Sequence, residues 1–231
     1  MASSEHPVFD ACRQFFALAI LTFASNIVLA AEGTLSVKVV DRAKQPVADA
    51  AVFLIPQTSL PEQPISDPPV AVMDQVDLEY VPHILVVQTN TEVGFPNSDD
   101  VNHHVYSFSD PNQFELPLYK GKLHPPVRFE HAGLVILGCN IHDHMLGYIL
   151  VVDTPYFGKT DDDGGVFIPG VLPGRYDVVL WSSRFREVSK TVRQVVSVSD
   201  ETSVQDIAFK LSDKLRHPRE TRSSSLQWTD Y

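Results

Sequence analysis

Apolar residues in this chain come in short, valine-rich runs. Proline, glycine or acidic clusters cut each run off before a helix could complete its turns. Seventeen prolines among 231 residues leave no long stretch with an i, i+3, i+4 apolar period, so the chain is read as all-β. Residues 35–40 alternate strictly, with Leu35, Val37 and Val39 on one face and Ser36, Lys38 and Val40 on the other. Residues 52–55, 84–88, 93–95, 105–108, 127–129, 134–137 and 148–152 are further strand-like runs. Residues 166–168, 176–181, 192–198 and 207–211 complete the pattern. Pro46, Asp161-Asp162-Asp163-Gly164-Gly165 and Pro173-Gly174 supply turns. Trp181, at the end of a run, is expected to pack in a core.

Composition narrows the function classes. The formal charge is −11, which argues against a nucleic-acid partner. Lys210, Lys214, Arg216, Arg219 and Arg222 form a basic cluster in a polar stretch, read as a solvated tail over 213–231. At the other end, Arg13 precedes an apolar stretch over 15–29, and Val28-Leu29-Ala30 offers small residues for cleavage. Residues 1–30 therefore read as an export signal. Its removal would leave no stable membrane insertion.

The chain has two cysteines, and Cys12 leaves with the signal. Cys139 is then a lone thiol in an exported protein. It points to an intermolecular bridge, a reactive thiol or a metal ligand. Its neighbourhood favours the metal. Gly138-Cys139-Asn140-Ile141-His142-Asp143-His144-Met145 carries a thiol, two imidazoles and a thioether between two apolar strands. A second loop, through Phe95-Pro96-Asn97 and Asp99 to His103-His104-Val105, can meet it at one pole of a sandwich. Thiolate and thioether suit Cu(I), and imidazole suits both copper states, so every ligand type of a blue-copper site is present. His103 and His104 lie on opposite faces of a strand, so one of the two reaches a shared site easily. Covalent haem would need a second cysteine. A structural zinc site would need more Cys/His pairs. A multicopper oxidase would need a His-Cys-His, which the sequence does not contain. An enzyme is therefore not expected.

Two family resemblances organise these observations. Val39-Val40-Asp41, Gln45-Pro46-Val47 and Ala50-Ala51-Val52, together with Gly165-Val166-Phe167 and Leu172-Pro173-Gly174-Arg175-Tyr176, resemble the two halves of a carboxypeptidase regulatory-like (transthyretin-like) sandwich. About 100 residues separate halves that are normally neighbours, as expected for an insertion at a hairpin. The segment between them resembles the cupredoxins. Cys139, His142 and Met145 fit the Cys-x-x-His-x-x-Met spacing of the amicyanin branch, and His103 with Val105 fits its upstream histidine stretch. His104 and His144 are departures from that pattern.

The resemblance implies a Greek-key β-sandwich over 70–156, inserted into or joined to a transthyretin-like sandwich over 31–57 plus 159–212. It implies one copper per chain, held by His103, Cys139, His142 and axial Met145. It further implies a periplasmic electron carrier linked to amine oxidation, which docks transiently on protein redox partners near the His142 edge. Ile141 and Leu146 would supply an apolar contact patch there. Two other readings stay open: a copper carrier or sensor without redox cycling, and a non-redox binding module with a vestigial copper site.

Overall fold

The computed structural model describes residues 32–59, 70–121, 124–199 and 204–216. The expected export signal, most of the polar tail and part of the first linker lie outside the described residues. Within them there are seventeen strands and no helix. In chain order the strands are β1 (Gly33–Val40), β2 (Ala51–Pro56), β3 (Val70–Val72), β4 (Asp74–Val76), β5 (Glu79–Val81) and β6 (Ile84–Gln88). Next come β7 (Thr91–Gly94), β8 (His103–Ser107), β9 (Phe114–Tyr119), β10 (Val127–Phe129), β11 (Gly133–Cys139) and β12 (Leu146–Val152). The last are β13 (Phe157–Lys159), β14 (Gly165–Val171), β15 (Gly174–Trp181), β16 (Thr191–Val198) and β17 (Val204–Lys210).

The strands sort into two layered units. Chain segments before residue 57 and after residue 156 build two sheets, in the orders β14-β1-β17 and β13-β2-β15-β16. The segment between builds β10-β7-β3, the five-stranded β6-β12-β11-β8-β9 and the small β4-β5 ribbon. No sheet among the described residues mixes the two sets. In β1 the alternation predicted from sequence decides the layering. Leu35, Val37 and Val39 turn inward and pack with Val52, Leu54, Tyr176, Val178 and Phe209 in one core. The second core joins Val93 and Phe129 from one sheet to Val105, Val135, Leu137 and Ile149 from the other, and it includes Cys139 and Met145.

A third, smaller core joins the units. Ile84, Tyr148, Leu150 and Val152 from the middle segment pack on Ala51 and Trp181 from the flanks. Burying these side chains on both partners ties the units together at about 25 cal/mol per Å² of apolar surface. Trp181 is buried as expected, and its indole N–H donates to the Val188 carbonyl at 2.7 Å.

The strands that the sequence reading missed have local causes. β9 contains Pro117 and Glu115, which break the pattern of a central strand. It lies at the edge of its sheet, where a missing N–H is tolerated. β3, β4 and β5 span three residues each, too few for a period to register.

The acidic turn at 161–165 forms as expected. The Gly165 N–H donates to the Asp161 carboxylate at 2.8 Å, and the Gly164 N–H to the Asp161 carbonyl at 2.8 Å. Gly164 has φ +75°, and an added Cβ would sit 2.5 Å from the Val39 carbonyl oxygen. Gly164→Ala is therefore expected to lower the unfolding free energy by about 2 kcal/mol. A urea titration would read this as a lower midpoint with an unchanged slope.

Candidate metal centre

The site forms where β8 meets β11. Their pairing consists of Gly138 opposite Tyr106 and Cys139 opposite Val105. Alternation along β8 sends His103, Val105 and Ser107 inward and His104 and Tyr106 outward. The β8–β9 register shifts between His103 and Val105, with the extra residue in β9 between Leu116 and Tyr119, so β8 keeps its alternation through His103. Two glycines flank the loop that carries Cys139 and His142, and each lies under an aromatic ring. A Cβ on Gly138 would lie 2.8 Å from the Tyr106 ring, and one on Gly147 would lie 2.8 Å from Tyr80 Cβ. The Tyr80 hydroxyl donates to the Gly138 carbonyl at 2.8 Å. Burial pushes this phenol well above its ordinary range, so it stays a donor.

Between these anchors the loop folds back on itself, with the Met145 N–H donating to the His142 carbonyl at 2.9 Å. Three donor atoms converge as a result. His103 Nδ1 and His142 Nδ1 are 3.1 Å apart. Cys139 Sγ lies 3.8 Å from the first and 3.6 Å from the second. A triangle with these sides is acute, so its centre falls inside it. The circle through its corners has a radius of about 2.0 Å, the bond length of a first-row metal to imidazole. His103 is fully buried and Cys139 nearly so, whereas His142 is partly exposed. No other trio of His, Cys, Asp or Glu among the described residues converges in this way.

The second side of His103 is held by Asp99. Its Nε2 lies 2.7 Å from Asp99 Oδ2. A carboxylate accepts there, so Nε2 carries the proton and Nδ1 presents its lone pair to the centre of the triangle. With His103 Nδ1 as acceptor, the His142 Nδ1–H donates to it.

Asp99 is itself anchored by backbone donors. The Asp77 N–H reaches Oδ1 at 2.6 Å and the Leu78 N–H reaches Oδ2 at 3.0 Å. Both residues adopt left-handed conformations, φ 53° and 61°, which aim successive amides at one anion. Burial pushes the Asp99 carboxyl upward. The Leu78 amide, the His103 ring and the Asp77 amide outweigh that and hold it below the usual carboxylate range. His142 is shifted down, by partial burial first and then by the neighbouring His103 and His144. A neutral imidazole is the form that ligates a metal.

Behind the loop, buried Asn97 holds the chain in register. Its Nδ2 donates to the Val101 and Tyr119 carbonyls at 2.9 and 3.0 Å, and its Oδ1 accepts the Asp99 N–H at 3.0 Å.

Of the residues predicted from sequence, His103, Cys139 and His142 are brought together. Met145 is buried in the same core as Cys139, and both line a pocket of about 470 Å³ with Tyr106 and Phe108. His104 turns away and bonds Glu115 at 2.8 Å. His144 lies beside His142, with ring centroids 6.1 Å apart, and is outside the converging trio. Ile141 is half exposed next to His142, whereas Leu146 is half-buried against the inter-unit core. Asp99 was missed, although a ligating histidine usually has a carboxylate or carbonyl partner, and an acid four residues upstream was the available signal.

No protein-family model and no curated protein matches the sequence. Among solved structures the chain is similar to a reduced Cu(I) form of an amicyanin variant, with 20% identity, 43% of this chain and 98% of the other covered, and a TM-score of 0.33. It is similar to a copper-containing nitrite reductase from Thermus scotoductus, with 20% identity, 50% and 28% covered, and a TM-score of 0.36. A purple cupredoxin from Nitrosopumilus maritimus gives 22% identity, 35% and 98% covered, and a TM-score of 0.32. With TM-scores this low, the chemistry of the site rests on its own geometry.

Asp99→Ala removes the group that fixes the His103 tautomer and is expected to weaken Co(II) binding by about 10- to 100-fold. Competition with a chelator of known affinity measures this. Circular dichroism of the same samples checks that the sheets are retained.

Proposed function

We propose that this chain is a type 1 copper protein that transfers single electrons between protein partners in the periplasm. The observation that carries the proposal is the acute His103–Cys139–His142 triangle, which brings two imidazole nitrogens and one thiol sulfur around a common centre close enough for one metal ion to reach all three. Two histidines and a cysteine in a trigonal plane, with a weak axial thioether, form the blue-copper ligand set. Met145 is proposed as the axial ligand. It is buried in the same core as Cys139 and closes the loop that carries His142. A structural zinc site would take four strong donors, whereas only three converge here among the described residues.

Bound copper would supply a one-electron Cu(II)/Cu(I) couple. The residues of the chain prepare the rest. Asp99 presets His103, and the β8–β11 pairing holds the Cys139 backbone. The rings of Tyr80 and Tyr106 press on the glycines beside the ligand loop. Ligands held this way move little when charge changes, which keeps reorganisation small. His142 is the ligand with access to solvent, and half-exposed Ile141 beside it offers an apolar contact for a transient partner. An amine-oxidising donor is included among the proposed partners on the strength of the loop spacing. Export over residues 1–30 and a transthyretin-like identity for the flanking unit complete the proposal. The turn chemistry at 161–165 and 173–174 supports the second of these.

The Cu(II)-loaded protein is expected to show an intense visible thiolate-to-copper band, and Cys139→Ser should abolish it. A wild-type protein that binds Cu(II) without that band would refute the assignment. Met145→Ala should retain copper and shift the reduction potential, as read by voltammetry. His144→Ala should leave the visible spectrum unchanged.

A further inference from the structure

A cleft of about 690 Å³ opens where the two units meet, at the far end of the strands that carry the ligand loop. Phe53 and Ile55 of β2 line one side, and Leu134 and Leu150 of β11 and β12 line the other. Buried Trp181 also lines the cleft. Its N–H is already committed to the Val188 carbonyl, so the ring offers only apolar surface. The volume is that of a site for an organic molecule of drug-like size, and junctions between units are where such sites concentrate. From Leu134 to Cys139 the strand rises about 17 Å, so the cleft is separate from the metal centre.

The charge of the cleft selects its occupant. Asp110 and Asp153 line it and are exposed, so they stand at its mouth. Neither is in an ion pair among the described residues. The Asp110 carboxylate accepts one bond, from Gln113 at 2.5 Å, which leaves its charge uncompensated. Among the described residues no lysine, arginine or histidine lines the cleft. An apolar chamber with two anionic groups at its opening favours a molecule with an apolar ring body and a positively charged end, and it disfavours an anion. We infer that this cleft binds an organic cation, an amine carried on a body of about two rings, with the rings between Leu134 and Phe53 and the ammonium group at Asp110 and Asp153.

Dansylcadaverine has this form and brightens in apolar surroundings, and its N-acetyl derivative keeps the body without the charge. Titrated into the full chain, dansylcadaverine should give a saturable, blue-shifted rise in emission, with the N-acetyl derivative about fivefold weaker or more. The double variant Asp110→Asn/Asp153→Asn should bring the two probes to equal affinity. Leu134→Trp, which intrudes on the space assigned to the rings, should weaken binding of both. No saturable signal, equal affinity of the two probes for the wild type, or undiminished binding to Leu134→Trp would overturn the inference. So would binding that appears only after residues 217–231 are removed, because the chain itself would then be the occupant.

Discussion

Two residue pairs join β11 to β8, and the candidate metal centre depends on them. Gly138 lies opposite Tyr106 and Cys139 opposite Val105, and the ladder ends there. A longer ladder would carry β11 past His103, and a shorter one would leave the thiol unsupported. Gly138 makes the approach possible because a side chain at that position would meet the Tyr106 ring. Unbroken alternation along β8 turns His103 inward at the point where Cys139 arrives, while β9 takes up the extra residue of the bulge on the other edge. The geometry of the three donor atoms therefore follows from backbone register.

Electrostatics then decides which chemistry that geometry supports. Bringing two imidazoles and a thiol together in a core is costly unless their polar atoms find partners. Asp99 meets part of that cost by accepting from His103, and the amides of Asp77 and Leu78 in turn stabilise Asp99. The left-handed conformations at Asp77 and Leu78 cost about 1–3 kcal/mol each, a strain of the kind retained at functional sites. Their position, with both amides on the carboxylate behind a buried histidine, gives that strain a purpose. It converts a flexible acid into a fixed acceptor and so fixes the proton on the imidazole.

Legibility from sequence divided along the range of the interactions involved. Runs such as 84–88 and 127–129 coincide with β6 and β10, because alternation and turn residues act over a few positions. The cluster of potential metal donors around Cys139 was visible for the same reason, since Cys139, His142 and Met145 lie within one turn-sized segment. β9 was not legible, because Pro117 is acceptable only in an edge strand, and edge status depends on the whole sheet. Asp99 escaped for a similar reason. Its role depends on amides more than twenty residues away, and no local pattern announces them.

By itself the sequence determined an all-β chain with two kinds of strand segment and a cysteine-centred cluster of metal-binding side chains. Periodicity, turn chemistry and ligand type are local properties, so they can be read along the chain. Tertiary structure decided which of the adjacent histidines faces the thiol, burying His103 beside Cys139 and pairing His104 with Glu115. It also supplied the carboxylate that orders His103 and the acidic, apolar cleft where the two units meet. Those features arise from side chains distant in sequence, placed together by sheet register and by the packing of one sandwich against another.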